Sequence, residues 1–124
     1  MSTKTILHIE DNEFNRKIIR DLLARTGYRL LEAVDGEMGV TTALQELPDL
    51  ILVDIQLPKI SGLEATRRLR ADPRTAHIPI IAITSFALSG DDEKAREAGA
   101  SHYVAKPYSP RELLETIRRL APEA

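Results

Sequence analysis

An unbroken apolar run that ends in a carboxylate constrains the fold of this chain more than any other feature. Leu50–Asp54 contains four apolar residues and then a single aspartate, and the turn-forming residues Pro58 and Gly62 come soon after it. A continuous apolar run bounded by turn residues predicts a strand buried on both faces, in the middle of a parallel sheet. The last residue of such a strand lies at the carboxyl edge, where open α/β sheets bind ligands. Asp54 is therefore either a ligand-facing carboxylate or the cap of an ordinary turn, and this segment alone leaves both interpretations open.

The size and charge of the chain limit the functions it can have. Its 124 residues, 43% of them hydrophobic, predict one globular domain over residues 1–124. The 17 basic and 19 acidic residues give a net charge of -2, so neither nucleic-acid binding nor membrane-surface binding is expected. The absence of cysteine excludes disulfides, thiolate catalysis and zinc–thiolate sites. No apolar segment has signal-peptide or membrane-spanning character, which predicts a cytoplasmic protein.

Strand-like and helix-like segments alternate along the chain. The predicted strands are Thr5–Glu10, Arg29–Val34, Leu50–Asp54, Ile78–Thr84 and Ser101–Ala105. The predicted helices are Glu13–Arg25, Glu37–Glu46, Gly62–Ala71, Ser89–Ala98 and Pro110–Leu120. This alternation predicts a parallel sheet with helices on both faces, and the common order for five strands is 2-1-3-4-5. The expected fold class is therefore α/β, a flavodoxin-like doubly wound sheet with five helices.

Three local features carry expectations of their own. Gly36 follows Asp35 in a turn and is expected to adopt a backbone conformation open mainly to glycine. The second helix is expected to turn four apolar residues inward: Val40, Ala43, Leu44 and Leu47. His8 lies in the first strand, where we expect a core histidine that bonds a backbone carbonyl, with pH sensing as the alternative.

The predicted strand order brings several polar side chains to one edge of the sheet. Strands 1 and 3 are neighbours at the switch point, so Glu10, Asp11 and Asp54 should share one cleft, with Thr84 and Lys106 beside it. Two carboxylates about 4 Å apart repel by roughly 4 kcal/mol at an effective dielectric of about 20. Such a cluster needs a cation or must take up protons. Oxygen-only ligation with retained waters is a preference of Mg²⁺, which usually enters with a phosphate.

The same cleft suits phosphoryl chemistry. Lys106 supplies a point charge for a phosphoryl oxygen, and the Thr84 hydroxyl can donate one hydrogen bond to another. A carboxylate can act as the nucleophile toward a phosphoryl group. The predicted reaction is Mg²⁺-dependent transfer of phosphate onto an aspartate, followed by slow hydrolysis.

Four short motifs give the chain a family resemblance through their order and spacing: Glu10-Asp11, Asp54, Thr84-Ser85 and Lys106-Pro107. The chain resembles the receiver domain of bacterial response regulators over essentially its whole length, and is most similar to single-domain regulators of the CheY and DivK type. Five matched positions form a more specific signal than one short motif. The last helix ends close to the C-terminus, which fits a complete protein.

The resemblance implies a role for each residue of the acidic cleft. Asp54 would be the phosphoacceptor, while Thr84 and Lys106 would contact the phosphoryl group. The Lys106–Pro107 peptide is expected to be cis. The Mg²⁺ site would be formed by four residues: Glu10 through a metal-bound water, Asp11, Asp54, and Gln56 through its backbone carbonyl.

The resemblance also implies how a signal would be carried. Tyr103 would be the aromatic switch residue of the fifth strand, turning inward as Thr84 moves toward the phosphate; a static core tyrosine is the alternative. Gln56 and Phe86 would flank the route of the attacking water and tune the phosphoryl lifetime. The output surface would consist of the fourth helix, the fifth strand and the fifth helix.

The expected partners follow from the same resemblance. A histidine kinase or a histidine phosphotransfer protein would donate the phosphoryl group, and a downstream effector protein would read the response. The protein is expected to be a monomer, with no nucleic-acid and no membrane partner.

Three other function classes fit parts of the pattern. A flavodoxin-like electron carrier has the same topology, but the acidic loop Glu10–Glu13 would repel the flavin phosphate. A haloacid-dehalogenase-type phosphatase has a second aspartate two residues after the nucleophile, where this chain has Gln56. A pure interaction module that has lost phosphorylation would have no need of the intact acidic set.

Overall fold

Five strands and five helices alternate in the computed structural model, which describes residues 3–84 and 90–123. The strands are β1 Thr5–Ile9, β2 Arg29–Ala33, β3 Leu50–Asp54, β4 Ile80–Thr84 and β5 His102–Ala105. The helices are α1 Glu13–Leu23, α2 Gly36–Glu46, α3 Gly62–Ala71, α4 Asp91–Ala98 and α5 Pro110–Leu120. All strand pairs are parallel and the order is β2-β1-β3-β4-β5, which confirms the predicted fold class. Residues 85–89 lie outside the described residues, and with them Ser85, Phe86 and the predicted helix start at Ser89.

The two faces of the sheet carry separate apolar clusters, because successive strand side chains point to opposite faces. On one face, strand residues such as Leu52 and Ile83 pack against Ile19 of α1 and Ile117 of α5. The cluster on the other face contains Leu7, Ile9, Ile51, Val53, Ile80, Ala43 and Leu69. Fully burying one aliphatic side chain contributes about 1.5–3 kcal/mol. Every residue of β3 and of β4 is buried, so these two strands are firmly fixed.

Side-chain caps fix where four helices begin. The helices α1, α2, α3 and α5 each start after a residue whose side chain accepts a hydrogen bond from the backbone N–H three positions on: Asn12, Asp35, Ser61 and Ser109. Such a cap satisfies one of the N–H groups that a helix start leaves without a partner. The cap at Asn12 starts α1 immediately after Glu10 and Asp11, so these two acidic residues stay at the carboxyl edge of the sheet.

Two sequence-based expectations about α2 are wrong. Leu47 does not face inward: it follows the last helical residue with a φ of 47°, and it is 52% exposed. A left-handed residue turns the chain out of the helix, so the inward periodicity ends before Leu47. Gly36 lies outside the left-handed region. It is needed for space, because a Cβ there would lie 2.5 Å from Cγ1 and 2.6 Å from the carbonyl oxygen of Ile60.

None of the helices within residues 3–84 and 90–123 has both the length and the apolar character that crossing a membrane requires.

Candidate functional site

Three carboxylates meet where β1 and β3 end. Asp54 is the last residue of β3, and Glu10 and Asp11 follow the neighbouring strand β1. One carboxylate oxygen from each of the three lies within 4.8 Å of the others. Glu10 and Asp54 are buried and Asp11 is exposed. The structure therefore brings the three predicted acidic residues together in a cluster that is open on one side.

Backbone contacts hold Glu10 in this cluster. Its N–H donates to the carbonyl oxygen of Ala33 at the end of β2, over 2.9 Å. Its Oε2 accepts a hydrogen bond of 3.3 Å from the N–H of Asn12. The carboxylate is thereby tied to the start of α1 as well as to the sheet, which limits how far it can turn away from Asp54.

Lys106 reaches the cluster from the end of β5, at the same edge of the sheet. It follows β5, and its N–H donates to the carbonyl oxygen of Thr84 over 2.8 Å. Its Nζ lies 3.1 Å from Glu10 Oε1 and 3.5 Å from Asp54 Oδ2, with 18% of the side chain exposed. The peptide bond between Lys106 and Pro107 is cis. One ammonium group therefore contacts two of the three carboxylates.

The charges of the cluster are out of balance. Burial raises the pKa of Glu10, the neighbouring Asp54 carboxylate raises it further, and Lys106 offsets these effects only in part. Three acidic groups face one ammonium, so a further cation would stabilise their ionised forms. All the donors are oxygens, and the exposed position of Asp11 leaves room for retained water. This donor set fits a hard divalent cation such as Mg²⁺.

Gln56 connects Asp54 to Thr84. Its backbone N–H donates to Asp54 Oδ1 over 2.9 Å. Its side-chain amide faces the Thr84 hydroxyl, with 2.8 Å between Nε2 and Oγ1 and 3.0 Å between Oγ1 and Oε1. Thr84 is fully buried at the end of β4. The sequence singles out both residues, but the contact between their side chains becomes visible only in the structure.

Tyr103 lies apart from the acidic cluster. It occupies β5 and packs, half-buried, against a small apolar cluster formed by Ile55, Ala82 and Ala95. Burial raises the pKa of its hydroxyl, and the carboxylates of Asp91 and Asp92 at the start of α4 raise it further. The tyrosine is thus positioned between the sheet and α4, and its switch role stays a prediction.

Arg16 is a site residue that sequence reasoning missed. Its Nη1 donates to the backbone carbonyl of Glu10 over 2.9 Å, and its Nη2 donates to Glu13 Oε2 over 2.6 Å. Only 13% of the side chain is exposed. Helical spacing could have predicted the pair with Glu13 three residues earlier. The bond to Glu10 depends on how α1 is placed over the end of β1, and no sequence pattern reports that.

His8 differs from its predicted environment. It is 2% exposed, and its Nδ1 has no hydrogen-bond partner in the part of the chain that the structure describes. The residue is a core histidine, as predicted, but its Nδ1 makes no bond to a backbone carbonyl among the described residues. Burial lowers the pKa of His8 most, and together with the positive charges of Lys106 and Arg16 it brings the pKa to about 3. A pKa this far below its ordinary value argues against the alternative, a pH-sensing role.

We expect His8→Leu to stabilise the protein increasingly as the pH falls from 7 to 5. The pKa of His8 is about 3 in the folded state and about 6.5 in an unfolded chain. At a pH between these two values the unfolded chain therefore binds more protons than the folded protein. The wild type should therefore lose about 2 kcal/mol of unfolding free energy between pH 7 and pH 5 through this residue alone. Urea unfolding of both proteins at the two pH values measures the difference.

An exposed histidine provides the control for this comparison. His77 is exposed, so His77→Leu makes the same chemical change without touching the core around His8. Parallel pH dependences for wild type and His8→Leu would show that His8 is protonated as easily in the folded protein as in the unfolded chain.

Comparison with known proteins agrees with this geometry. Residues 6–118 match the response regulator receiver domain family. The polar-differentiation response regulator DivK of Brucella ovis is 45% identical over 116 residues, which cover 94% of this chain and 94% of that protein.

Solved structures support the same assignment. The receiver domain of the sensor histidine kinase PA1611 from Pseudomonas aeruginosa PAO1 has a TM-score of 0.89 and 38% identity, covering 97% of this chain and 98% of that one. A magnesium ion is coordinated in the active site cleft of that protein. CheY4 of Vibrio cholerae shares the fold, with a TM-score of 0.88, 24% identity, and coverage of 96% and 99%. This chain therefore belongs to the response regulator receiver domain family, and it is similar to the single-domain regulator DivK.

Proposed function

We propose that this protein is a phosphorylatable switch that accepts a phosphoryl group on Asp54 and signals to a partner protein. The donor is a phosphohistidine on a histidine kinase or a histidine phosphotransfer protein. One observation carries the proposal above all others: Asp54 lies at the end of a buried central strand, within 4.8 Å of two other carboxylates and beside the ammonium of Lys106.

The proposed reaction uses the Asp54 carboxylate as the nucleophile. One of its oxygens forms a bond to phosphorus while the bond between phosphorus and the donor imidazole breaks, and the imidazole nitrogen keeps the electron pair. The N–H of Gln56 holds Oδ1 and Lys106 lies near Oδ2, so the carboxylate is already oriented. In the return reaction water attacks phosphorus, inorganic phosphate leaves and the carboxylate is restored.

Mg²⁺ is the proposed cofactor, held by Asp11, Asp54 and the backbone carbonyl of Gln56, with Glu10 acting through a water. When bound, Mg²⁺ supplies positive charge that offsets the negative charge of the phosphoryl group. The relative from Pseudomonas aeruginosa, which holds magnesium in its cleft, supports this choice of metal. Lys106 would add a second cationic contact to the phosphoryl oxygens, and Thr84 a hydrogen bond.

The proposed output is a shift between two conformers. A phosphoryl group favours a conformer only to the extent that it bonds better to that conformer. Thr84 would follow the phosphoryl group, and Tyr103 would turn inward behind it. The protein acts as a monomer in this proposal, and the effector binds the surface formed by α4, β5 and α5. Replacement of Lys106 should permit some phosphorylation and weaken the response of the effector.

The metal requirement can be tested on the purified protein. We expect incubation with acetyl phosphate and Mg²⁺ to retard the wild type on a Phos-tag gel, and EDTA to prevent the retardation. Loss of the Asp11 carboxylate in Asp11→Asn should slow phosphorylation about tenfold or more. Even the loss of a residue that only hydrogen-bonds to a metal ligand lowers metal affinity or activity by about tenfold. Titration of the initial rate with Mg²⁺ gives the apparent affinity of each protein.

A charge-matched control lies on α1. Asp21 is exposed and pairs with Lys17, so Asp21→Asn changes the net charge by the same amount without touching the cluster. Equal rates for Asp11→Asn and Asp21→Asn, or a rate that EDTA leaves unchanged, would contradict the proposed metal site.

A further inference from the structure

We propose that the side chain of Gln56 is a latch that holds Thr84 in its unphosphorylated position and so opposes activation. The inference rests on the proposed function and adds a regulatory element to the same site. Gln56 presents both atoms of its amide to one hydroxyl, at 2.8 Å from Nε2 to Thr84 Oγ1 and 3.0 Å from Oγ1 to Oε1. The hydroxyl therefore accepts from the amide and also donates to it.

The donor capacity of the hydroxyl makes the latch a competitor of the phosphoryl group. A threonine hydroxyl has a single hydrogen to donate. While Thr84 donates this hydrogen to Gln56 Oε1, it cannot donate it to a phosphoryl oxygen on Asp54. The bond seen in this structure and the bond proposed for the phosphorylated state therefore exclude each other, and activation must break the first to form the second.

The main chain places the latch where it can compete. β3 and β4 are neighbours, with Asp54 paired to Ile83, so the residues that follow Asp54 lie beside the end of β4. The backbone N–H of Gln56 is bonded to Asp54 Oδ1 over 2.9 Å. Gln56 as a residue is exposed, whereas Thr84 is fully buried. The Gln56 amide can therefore turn toward solvent. The buried Thr84 hydroxyl can bond a phosphoryl oxygen only after its bond to the amide has broken.

The latch acts on the balance between conformers and leaves the nucleophile in place. Breaking one hydrogen bond between neutral groups disfavours the phosphorylated conformer by a factor of about two to ten. Removing the amide should therefore increase the affinity for a phosphoryl analogue by the same factor. The amide of Gln56 would therefore favour the unphosphorylated conformer, in addition to any effect on the phosphoryl lifetime.

The test is a titration with beryllofluoride, a mimic of the phosphoryl group on aspartate, in the presence of Mg²⁺ and followed by NMR. Gln56→Met keeps the length of the side chain and removes its hydrogen bonds, and it should bind beryllofluoride about two- to tenfold more tightly than the wild type. Gln56→Asn keeps an amide on a stem one carbon shorter, which holds it farther from the Thr84 hydroxyl, and it should show a gain in the same direction. Gln45→Met, on the exposed face of α2, is the matched control and should bind like the wild type.

A double-mutant cycle with Thr84→Val separates the latch from other effects of Gln56. Valine has no hydroxyl, so Gln56→Met should cause no gain in a Thr84→Val background. Equal or weaker binding by Gln56→Met, or a gain that persists without the Thr84 hydroxyl, would overturn the latch while leaving the proposed function intact. A wild type that does not bind beryllofluoride with Mg²⁺ would overturn the proposed function itself.

Discussion

Asp54→Asn is expected to abolish phosphorylation while the domain stays folded. The asparagine amide has no anionic oxygen to attack phosphorus, so no acyl phosphate can form. Its Oδ1 can still accept the hydrogen bond from the N–H of Gln56, and Lys106 keeps its contact of 3.1 Å with Glu10. The substitution also removes one negative charge from the cluster, so the unfolding free energy should be unchanged or higher. Phos-tag electrophoresis after incubation with acetyl phosphate and Mg²⁺ measures the phosphorylation, and urea unfolding measures the stability.

The matched control lies at the other end of the same strand. Asp49 precedes β3, and its Oδ2 accepts a hydrogen bond of 2.7 Å from the N–H of Thr5. Asp49→Asn makes the same chemical change at the opposite edge of the sheet and should be phosphorylated like the wild type. A Phos-tag shift that persists in Asp54→Asn would place the phosphoryl group on another residue.

Gly62→Ala is expected to lower the unfolding free energy by about 3 kcal/mol or more, the upper end of what forced overpacking causes. A Cβ on Gly62 would lie 2.1 Å from the carbonyl oxygen of Asp54 and 2.8 Å from the Cα of Ile55. These neighbours are backbone atoms of the segment that carries the candidate phosphoacceptor, so they cannot rotate out of the way. The start of α3 would have to move away from the end of β3, and the Asp54 carboxylate would lose its orientation. Urea unfolding followed by circular dichroism measures the loss.

Gly27→Ala is the control for glycine replacement itself. A Cβ there would meet one side-chain atom, Oε1 of Glu123, at 3.3 Å. That carboxylate accepts a hydrogen bond of 2.7 Å from the N–H of Gly27 and pairs with Arg118, so the loss should not exceed about 1 kcal/mol, the worth of one such bond. If Gly27→Ala and Gly62→Ala lower the unfolding free energy by similar amounts, the close approach of α3 to Asp54 is not the reason that position 62 needs a glycine.

The sheet could be predicted from the sequence because its determinants are local and repeated. Apolar runs such as Leu50–Asp54 mark buried strands, and their alternation with helices leaves few possible strand orders. Once the order is known, the acidic residues that follow β1 and the aspartate that ends β3 must come together. The capping serine at Ser109 could also be predicted, since its signal lies within four residues.

The features that could not be predicted depend on contacts between distant segments. Gly36 is required by Ile60, which is far from it in sequence, so the nearby turn suggested the wrong reason for a glycine. The environment of His8 Nδ1, which has no hydrogen-bond partner among residues 3–84 and 90–123, is set by what packs over β1. The bond between Gln56 and Thr84 joins the loop after β3 to the end of β4 through rotatable side chains. A sequence pattern reports which residue types are present and in what period, and it carries no information on these distances.

The residue that takes up the phosphoryl group can be identified chemically by borohydride reduction. Borohydride converts an acyl phosphate to an alcohol, which mass spectrometry of a proteolytic digest assigns to one side chain. After incubation with acetyl phosphate, we predict reduction at Asp54 alone, and only when Mg²⁺ is present. Reduction at Glu10 or Asp11, or reduction at Asp54 to the same extent in EDTA, would contradict the account.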